Sequence, residues 1–244
     1  MNSQPAVRTL AGAPAHTVSP GVTASELLAD SQGCRNLHQR RLHLVGGHAG
    51  LGGAVLEGVA GGLGEAWYVI SGTGSLDVAD SEVTPLQPGT AVWLRRSALY
   101  RCQGISDSGL EILAISVHAG SPDDDAGPAV RMVSLDECEP ERTGDREFRV
   151  LLSAGLTITQ FLGIIPPGRA PAHQHTYDEV VHVVGGQGVV HLGATEAEIS
   201  SGTSIYLPPH QPHCLENTGS GPLTVLGVFY PAGSPASKQL SGAS

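Results

Sequence analysis

The chain lacks a basic tract, paired cysteines, long apolar runs and, for the most part, aromatic residues. The formal charge is −10, with 13 Lys and Arg against 23 Asp and Glu. Without a Lys/Arg cluster there is no electrostatic footing for a polyanion, so nucleic acid is not an expected partner. The four cysteines (Cys34, Cys102, Cys138 and Cys214) are far apart and form no C-x-x-C, which argues against finger-type zinc and a disulfide framework. No apolar run is long enough to span a bilayer, and the first residues have no basic start leading into an apolar core. A cytoplasmic protein that does not engage membranes is expected. Aromatics are only 4% of residues, so any core must be built mainly from Val, Leu, Ile and Ala.

What is abundant is glycine (33) and proline (17), scattered without a period of three. That pattern suits many short strands joined by tight turns. It is also duplicated. Residues 65–74, EAWYVISGTG, match 179–188, EVVHVVGGQG, at an offset of 114, and 88–100 match 201–213 at an offset of 113. Upstream, AGLGGAVLEG (49–58) pairs with AGLTITQFLG (154–163) at an offset of only 105, which places a nine-residue gap before the shared Glu. The expected division is an N-terminal arm (1–40), a first barrel (41–122), a linker (123–147), a second barrel (148–235) and a tail (236–244). Helix is expected only at TASELLAD, where Thr23 is a possible N-cap with Glu26 three residues on, with a weaker turn at 134–141. The fold class is all-β: two tandem closed barrels or jelly rolls.

The chemistry concentrates in the second copy, where six of the eleven histidines fall within 173–213. His173 and His175 are two residues apart, and on a strand i and i+2 share a face. Glu179 opens the next apolar strand, and His213 follows a Pro-stiffened turn at Pro208–Pro212. Three imidazoles and a carboxylate converging in a barrel suit one divalent first-row ion. Four protein ligands on an octahedral ion leave about two positions open. Gln160, Arg169, Tyr177 and Tyr206 flank these ligands and are the candidate catalytic or orienting residues. Asn217 is a candidate to bond a ligand from behind. His182 should point away from the site, and His191 and His210 suit the surface.

At these residues the sequence resembles the cupins, and specifically the bicupins, which carry two such barrels in one chain. Gly168, His173, His175, Glu179 and Gly186 follow the first cupin motif, with one residue fewer after Gly168. Gly202, Pro208, His213 and Asn217 follow the second, with His210 where the family has glycine. The resemblance implies two cupin-type jelly-roll barrels and a metal held by His173, His175, Glu179 and His213. Iron is the first expectation, with manganese, nickel, zinc, cobalt or copper as alternatives. It also implies a small-molecule substrate, a homodimer, and an oxygen-dependent dioxygenase. The alternatives are a non-redox isomerase, cyclase, decarboxylase or hydrolase, and a non-catalytic binding bicupin. In the first copy Tyr100 stands where the second has His213, only Glu65 persists, and the gap removes the His-x-His segment. That barrel is therefore expected to be metal-free, with a cluster of Arg95, Arg96 and Arg101 at its degenerate turn.

Overall fold

The computed structural model describes residues 4–47, 53–79, 81–118 and 128–236. It is built from short strands. In chain order these are β1 (Ala6–Arg8), β2 (His16–Ser19), β3 (Val22–Leu28), β4 (Leu37–Leu44), β5 (Val55–Val59), β6 (Gly64–Gly72), β7 (Gly74–Val78) and β8 (Thr84–Leu86). Then come β9 (Thr90–Arg95), β10 (Leu99–Gly104), β11 (Leu110–Val117), β12 (Val130–Ser134), β13 (Glu141–Thr143), β14 (Arg146–Leu152) and β15 (Thr159–Ile165). The last are β16 (Gly168–Arg169), β17 (Asp178–Gly185), β18 (Gln187–Leu192), β19 (Thr195–Ser200), β20 (Ser204–Leu207), β21 (His213–Asn217) and β22 (Leu223–Tyr230). The fold is all-β, as tandem jelly-roll barrels require. Among the described residues no helix is long and apolar enough to cross a membrane.

The chain divides into two compact units, one of residues 13–27 and 38–137, the other of residues 1–12, 28–37 and 138–244. Each contains a seven-stranded and a four-stranded antiparallel sheet with the same topology. The large sheets run β12-β9-β6-β11-β4-β3-β2 and β1-β20-β17-β22-β15-β14-β13. The small ones run β5-β10-β7-β8 and β16-β21-β18-β19. Each interior is filled by alternate residues of its strands. In the C-terminal unit these include Val181, Val183, Val190, Ile199, Ile205, Leu207, Leu215 and Val225. An aromatic group, Phe148, Phe161, Tyr177 and Phe229, adds to the packing.

Four expectations are corrected by this arrangement. TASELLAD is not a helix: Val22–Leu28 form strand β3, and Val22, Ala24, Leu27 and Leu28 are buried. The Thr23/Glu26 spacing was a coincidence, because the apolar residues were needed on a sheet. Next, residues 1–40 are not a free arm. β1 pairs with β20 of the C-terminal unit, while β2, β3 and β4 belong to the N-terminal sheet. Residues 123–147 are not simply a linker, since β12 pairs with β9 and β13 pairs with β14. The turn expected at 134–141 is present as a short 3-10 helix, Leu135–Glu137. All but the first residue of the expected tail lie outside the described residues.

The fourth correction concerns the repeat itself. The strand topologically equivalent to β15 is β4, not the segment at 49–58, which instead supplies β5, the counterpart of β16. Tyr100 pairs with Gly58, as His213 bridges to His173. The N–H of Ser97 bonds the carbonyl of Ala60, as that of His210 bonds the carbonyl of His175. The first copy has therefore not lost the ligand segment. It keeps the backbone and carries Gly58 and Ala60 where the second carries His173 and His175.

Candidate metal centre

The ligand segment is set by backbone pairing. His173 and His213 exchange two hydrogen bonds, N–H to carbonyl, at 3.0 and 2.9 Å, so their rings lie side by side with centroids 4.4 Å apart. His175 sits two residues on, held by the N–H of His210 at 2.6 Å. His210 makes this contact in a left-handed conformation, φ 64°. This is why glycine suits that position and why a non-glycine residue there is strained. Glu179 enters from β17, between Leu207 of β20 and Phe229 of β22. One nitrogen from each of His173, His175 and His213 lies within 4.8 Å of the others. The Oε2 atom of Glu179 is 3.5 Å from His175 Nε2 and 3.6 Å from His213 Nε2.

The rings are oriented from behind. His173 Nδ1 bonds the carbonyl of Pro171 at 3.2 Å, and His213 Nδ1 bonds that of Gln211 at 2.8 Å. A carbonyl only accepts, so both Nδ1 atoms carry the proton and both Nε2 atoms keep a lone pair. The face of His175 is stacked on Tyr177, 4.7 Å between centroids and 11° between planes, with Phe229 at 5.3 Å. Burial pulls His175 down to about 3, with His173 and His213 adding to the effect, and His213 down to about 4. His173 is lowered by burial too. All three are neutral near pH 7, as metal ligation requires. Burial pushes the Glu179 carboxyl the other way, up to about 8.

The two barrels form a controlled comparison of one carboxylate. Glu65 is buried and fully satisfied: it accepts from Arg40 Nη2 at 3.0 Å, Trp67 Nε1 at 2.9 Å and the N–H of Gly61 at 3.1 Å. Tyr100 packs edge-on against Trp67, centroids 4.9 Å apart, in the place His213 takes in the other barrel. A Cβ added to Gly58 would meet Tyr100 Oη at 2.6 Å, so the tyrosine fills the space that His173 takes in the second copy. Glu179 has no such donors, and its Oε2 is buried without a hydrogen-bond partner. An orphaned buried carboxylate oxygen costs several kcal/mol unless a cation meets it. The donor set of three lone-pair nitrogens and this oxygen fits a divalent transition ion, and the N-terminal set of Gly58, Ala60, Glu65 and Tyr100 does not.

These side chains line a cavity of about 80 Å³ with Phe148, Phe161, Leu207, Leu215 and Phe229 as walls and Thr143, Arg146 and Glu147 at one side. A cavity of that size has room for an ion with a small ligand beside it. Gly227 is required here, because a Cβ on it would lie 2.3 Å from the Phe161 ring.

Residues 161–229 match the family model described as Cupin domain. A segment of 70 residues is 37% identical to an uncharacterised protein of Methanocaldococcus jannaschii, covering 28% of this chain and 56% of that relative. The chain thus spans little more than half the length of this curated relative. A deletion variant of Bacillus subtilis oxalate decarboxylase superposes with a TM-score of 0.73 at 17% identity, over 93% of this chain and 78% of that one. A substituted form of the same enzyme gives 0.74 at 17% identity, with the same coverage. The chain thus shares the two-barrel fold of that enzyme, and its second barrel matches the cupin model.

Not every residue expected near the ligands reaches the cavity. Tyr177 does touch a ligand, but as a packing face. Gln160 does not, because β15 turns Phe161, Gly163 and Ile165 toward the cavity and Gln160 to the opposite face. Tyr206 likewise alternates away from Leu207, and its hydroxyl donates to Asp178 Oδ1 at 2.5 Å, which also accepts from Asn36 through Oδ2. Arg169 is exposed, its Nε 3.4 Å from Cys214 Sγ. Asn217 bonds the carbonyls of Ile165 and Gly221, stitching loops rather than a ligand. His182 faces away from the cavity toward Ser204, and His191 lies between Glu196 and Glu216. In the first barrel Arg101 is paired with Glu57. The cavity residues that sequence reasoning missed are Arg146, Phe148, Phe161 and Phe229. Arg146 had been assigned to a linker, and only the repeat's true alignment would have placed it on a barrel strand.

Proposed function

We propose that the C-terminal barrel is a mononuclear metal centre with His173, His175, Glu179 and His213 as ligands, acting on a small organic acid that reaches the ion through its own oxygens. The observation that carries this reading is the orphaned Glu179 oxygen, set against the saturated Glu65 at the same position of the sister barrel. When bound, such an ion supplies Lewis acidity and, for a redox-active metal, electrons for oxygen. The protein's own part is to hold two imidazoles in one tautomer, to press Tyr177 and Phe229 against His175, and to exclude water with an apolar wall.

An oxygen-dependent reaction is the first reading. Much of the wall is apolar (Phe148, Phe161, Val181, Leu207, Leu215, Val225 and Phe229), with Thr143, Arg146 and Glu147 also lining the cavity. Such apolar walls suit oxygen and the carbon skeleton of a substrate meeting at the ion. A second reading, non-redox decarboxylation, is favoured by the fold shared with oxalate decarboxylase. That enzyme has Mn(II) centres, so manganese stands beside iron as a candidate here. Anaerobic loading with Fe(II) or Mn(II), followed by oxygen electrode and CO2 measurements with candidate organic acids, separates the readings. Oxygen consumption supports the first, and CO2 release without it supports the second. No turnover with either metal would leave a binding module and refute both.

A further inference from the structure

One cation at the cavity is not explained by holding a metal. Arg146 follows the two-residue turn Gly144–Asp145 that joins β13 to β14, opposite Thr143. It shares a strand face with Phe148 and Val150, and it lines the cavity beside His173. Its Nε is buried without a hydrogen-bond partner, and among the described residues it has no ion pair. The adjacent carboxylate, Glu147, also lines the cavity, and it is engaged by Arg142 at 3.6 Å and Arg149 at 3.9 Å rather than by Arg146. A partly buried guanidinium that the fold leaves unpaired is costly, and a planar fork of donors matches a carboxylate.

The sister barrel again serves as a control. There the equivalent turn is Pro20–Gly21, flanked by the pair Ser19 and Val22, as Thr143 and Arg146 flank theirs. Val22 is fully buried in that barrel's apolar core. The cation is thus present only where the ligand set is intact, and valine fills the position where it is not. The fold does not need an arginine at this turn.

We propose that Arg146 is a specificity-determining residue of the cavity, binding a carboxylate of the substrate while other substrate oxygens face the ligand cluster. This rests on the cavity being the substrate chamber of the metal centre. The substrate this arrangement suits is an organic acid with a carboxylate for Arg146 and an oxygen pair for the ion. Neutral phenols and diketones of similar size would leave Arg146 unpaired and bind less well.

The test is the preference for a carboxylate over its neutral carboxamide. Oxalate against oxamide, and pyruvate against pyruvamide, are titrated calorimetrically into the full chain, with bound metal measured in the same samples. Wild type should prefer the acids. Arg146→Gln should weaken acid binding about 10- to 100-fold, the range for losing a charge-assisted hydrogen bond. Amide binding and metal content should hold, and Arg146→Lys should recover part of the loss. A wild type without preference, or an undiminished preference in a metal-replete R146Q, overturns the role of Arg146. An Arg146-dependent preference in a wild type that binds no metal would support Arg146 and overturn the metal reading alone.

Discussion

Glu65 and Glu179 occupy one position in two barrels, and replacing each by alanine should have opposite consequences. Glu65→Ala removes the acceptor for Trp67 Nε1 and the Gly61 N–H and the partner of Arg40. The indole is buried, so leaving its N–H unpaired costs about 1–3 kcal/mol. Arg40 keeps 40% of its side chain exposed and can turn to water, so its loss adds at most about 1 kcal/mol. With the space left by the carboxylate, the total comes to about 2–5 kcal/mol. At about 3 °C per kcal/mol for a chain of this size, the melting temperature should fall by on the order of 10 °C. Glu179→Ala in metal-stripped protein removes a carboxyl whose Oε2 has no donor, so it should leave stability unchanged or raise it. Differential scanning calorimetry of the stripped variants, with circular dichroism to confirm fold, measures both. Equal destabilisation by the two substitutions, or a Glu65→Ala loss below about 1 kcal/mol, would refute the contrast.

The same geometry gives three further expectations. The metal-stripped protein should lose stability as pH rises from 6.5 to 8.5. Glu179 has a folded pKa raised to about 8 from 4.5, so its contribution is full at low pH and is lost as pH rises through the folded value. Glu179 accounts for about 2 kcal/mol over that window, partly offset at its lower end by His175 and His213, which bind protons in the unfolded chain but not in the folded one; Glu179→Gln or metal loading should remove the loss in thermal melts. Gly233→Ala places a Cβ 2.6 Å from the Tyr177 ring, so it should disturb the stack on His175 and weaken metal binding severalfold in chelator competition, with little change in secondary structure. Gly58→Ala should destabilise the N-terminal barrel by about 1–3 kcal/mol through its collision with Tyr100, with metal content unchanged.

The clustering of His173, His175 and His213 with Glu179 beside them was legible because chemistry and spacing coincide there: His-x-His on one face, a Glu at the next strand and a His after a proline turn. The fold class was legible for the same reason, in repeated short apolar runs cut by glycine. Boundaries were not. Ala6–Arg8 and Val130–Ser134 are ordinary three- and five-residue stretches whose pairing with β20 and β9 depends on distant partners. The N-terminal ligand positions were misread because AGLGGAVLEG matches AGLTITQFLG in letters, whereas hydrogen bonding equates Gly58 with His173. Gln160, Arg169 and Tyr206 sit close to ligands in sequence. Strand alternation sends Gln160 and Tyr206 to the far face, and Arg169 lies exposed. Arg146, distant in sequence, is carried to the cavity by an edge hairpin.

Metal stoichiometry tests the central claim most directly. Elemental analysis of the full chain, purified without chelators and compared with His213→Ala and His175→Ala, should give about one transition-metal ion per wild-type chain and close to none in either variant. Two ions per chain, or metal retained after both substitutions, would contradict a single centre in the C-terminal barrel.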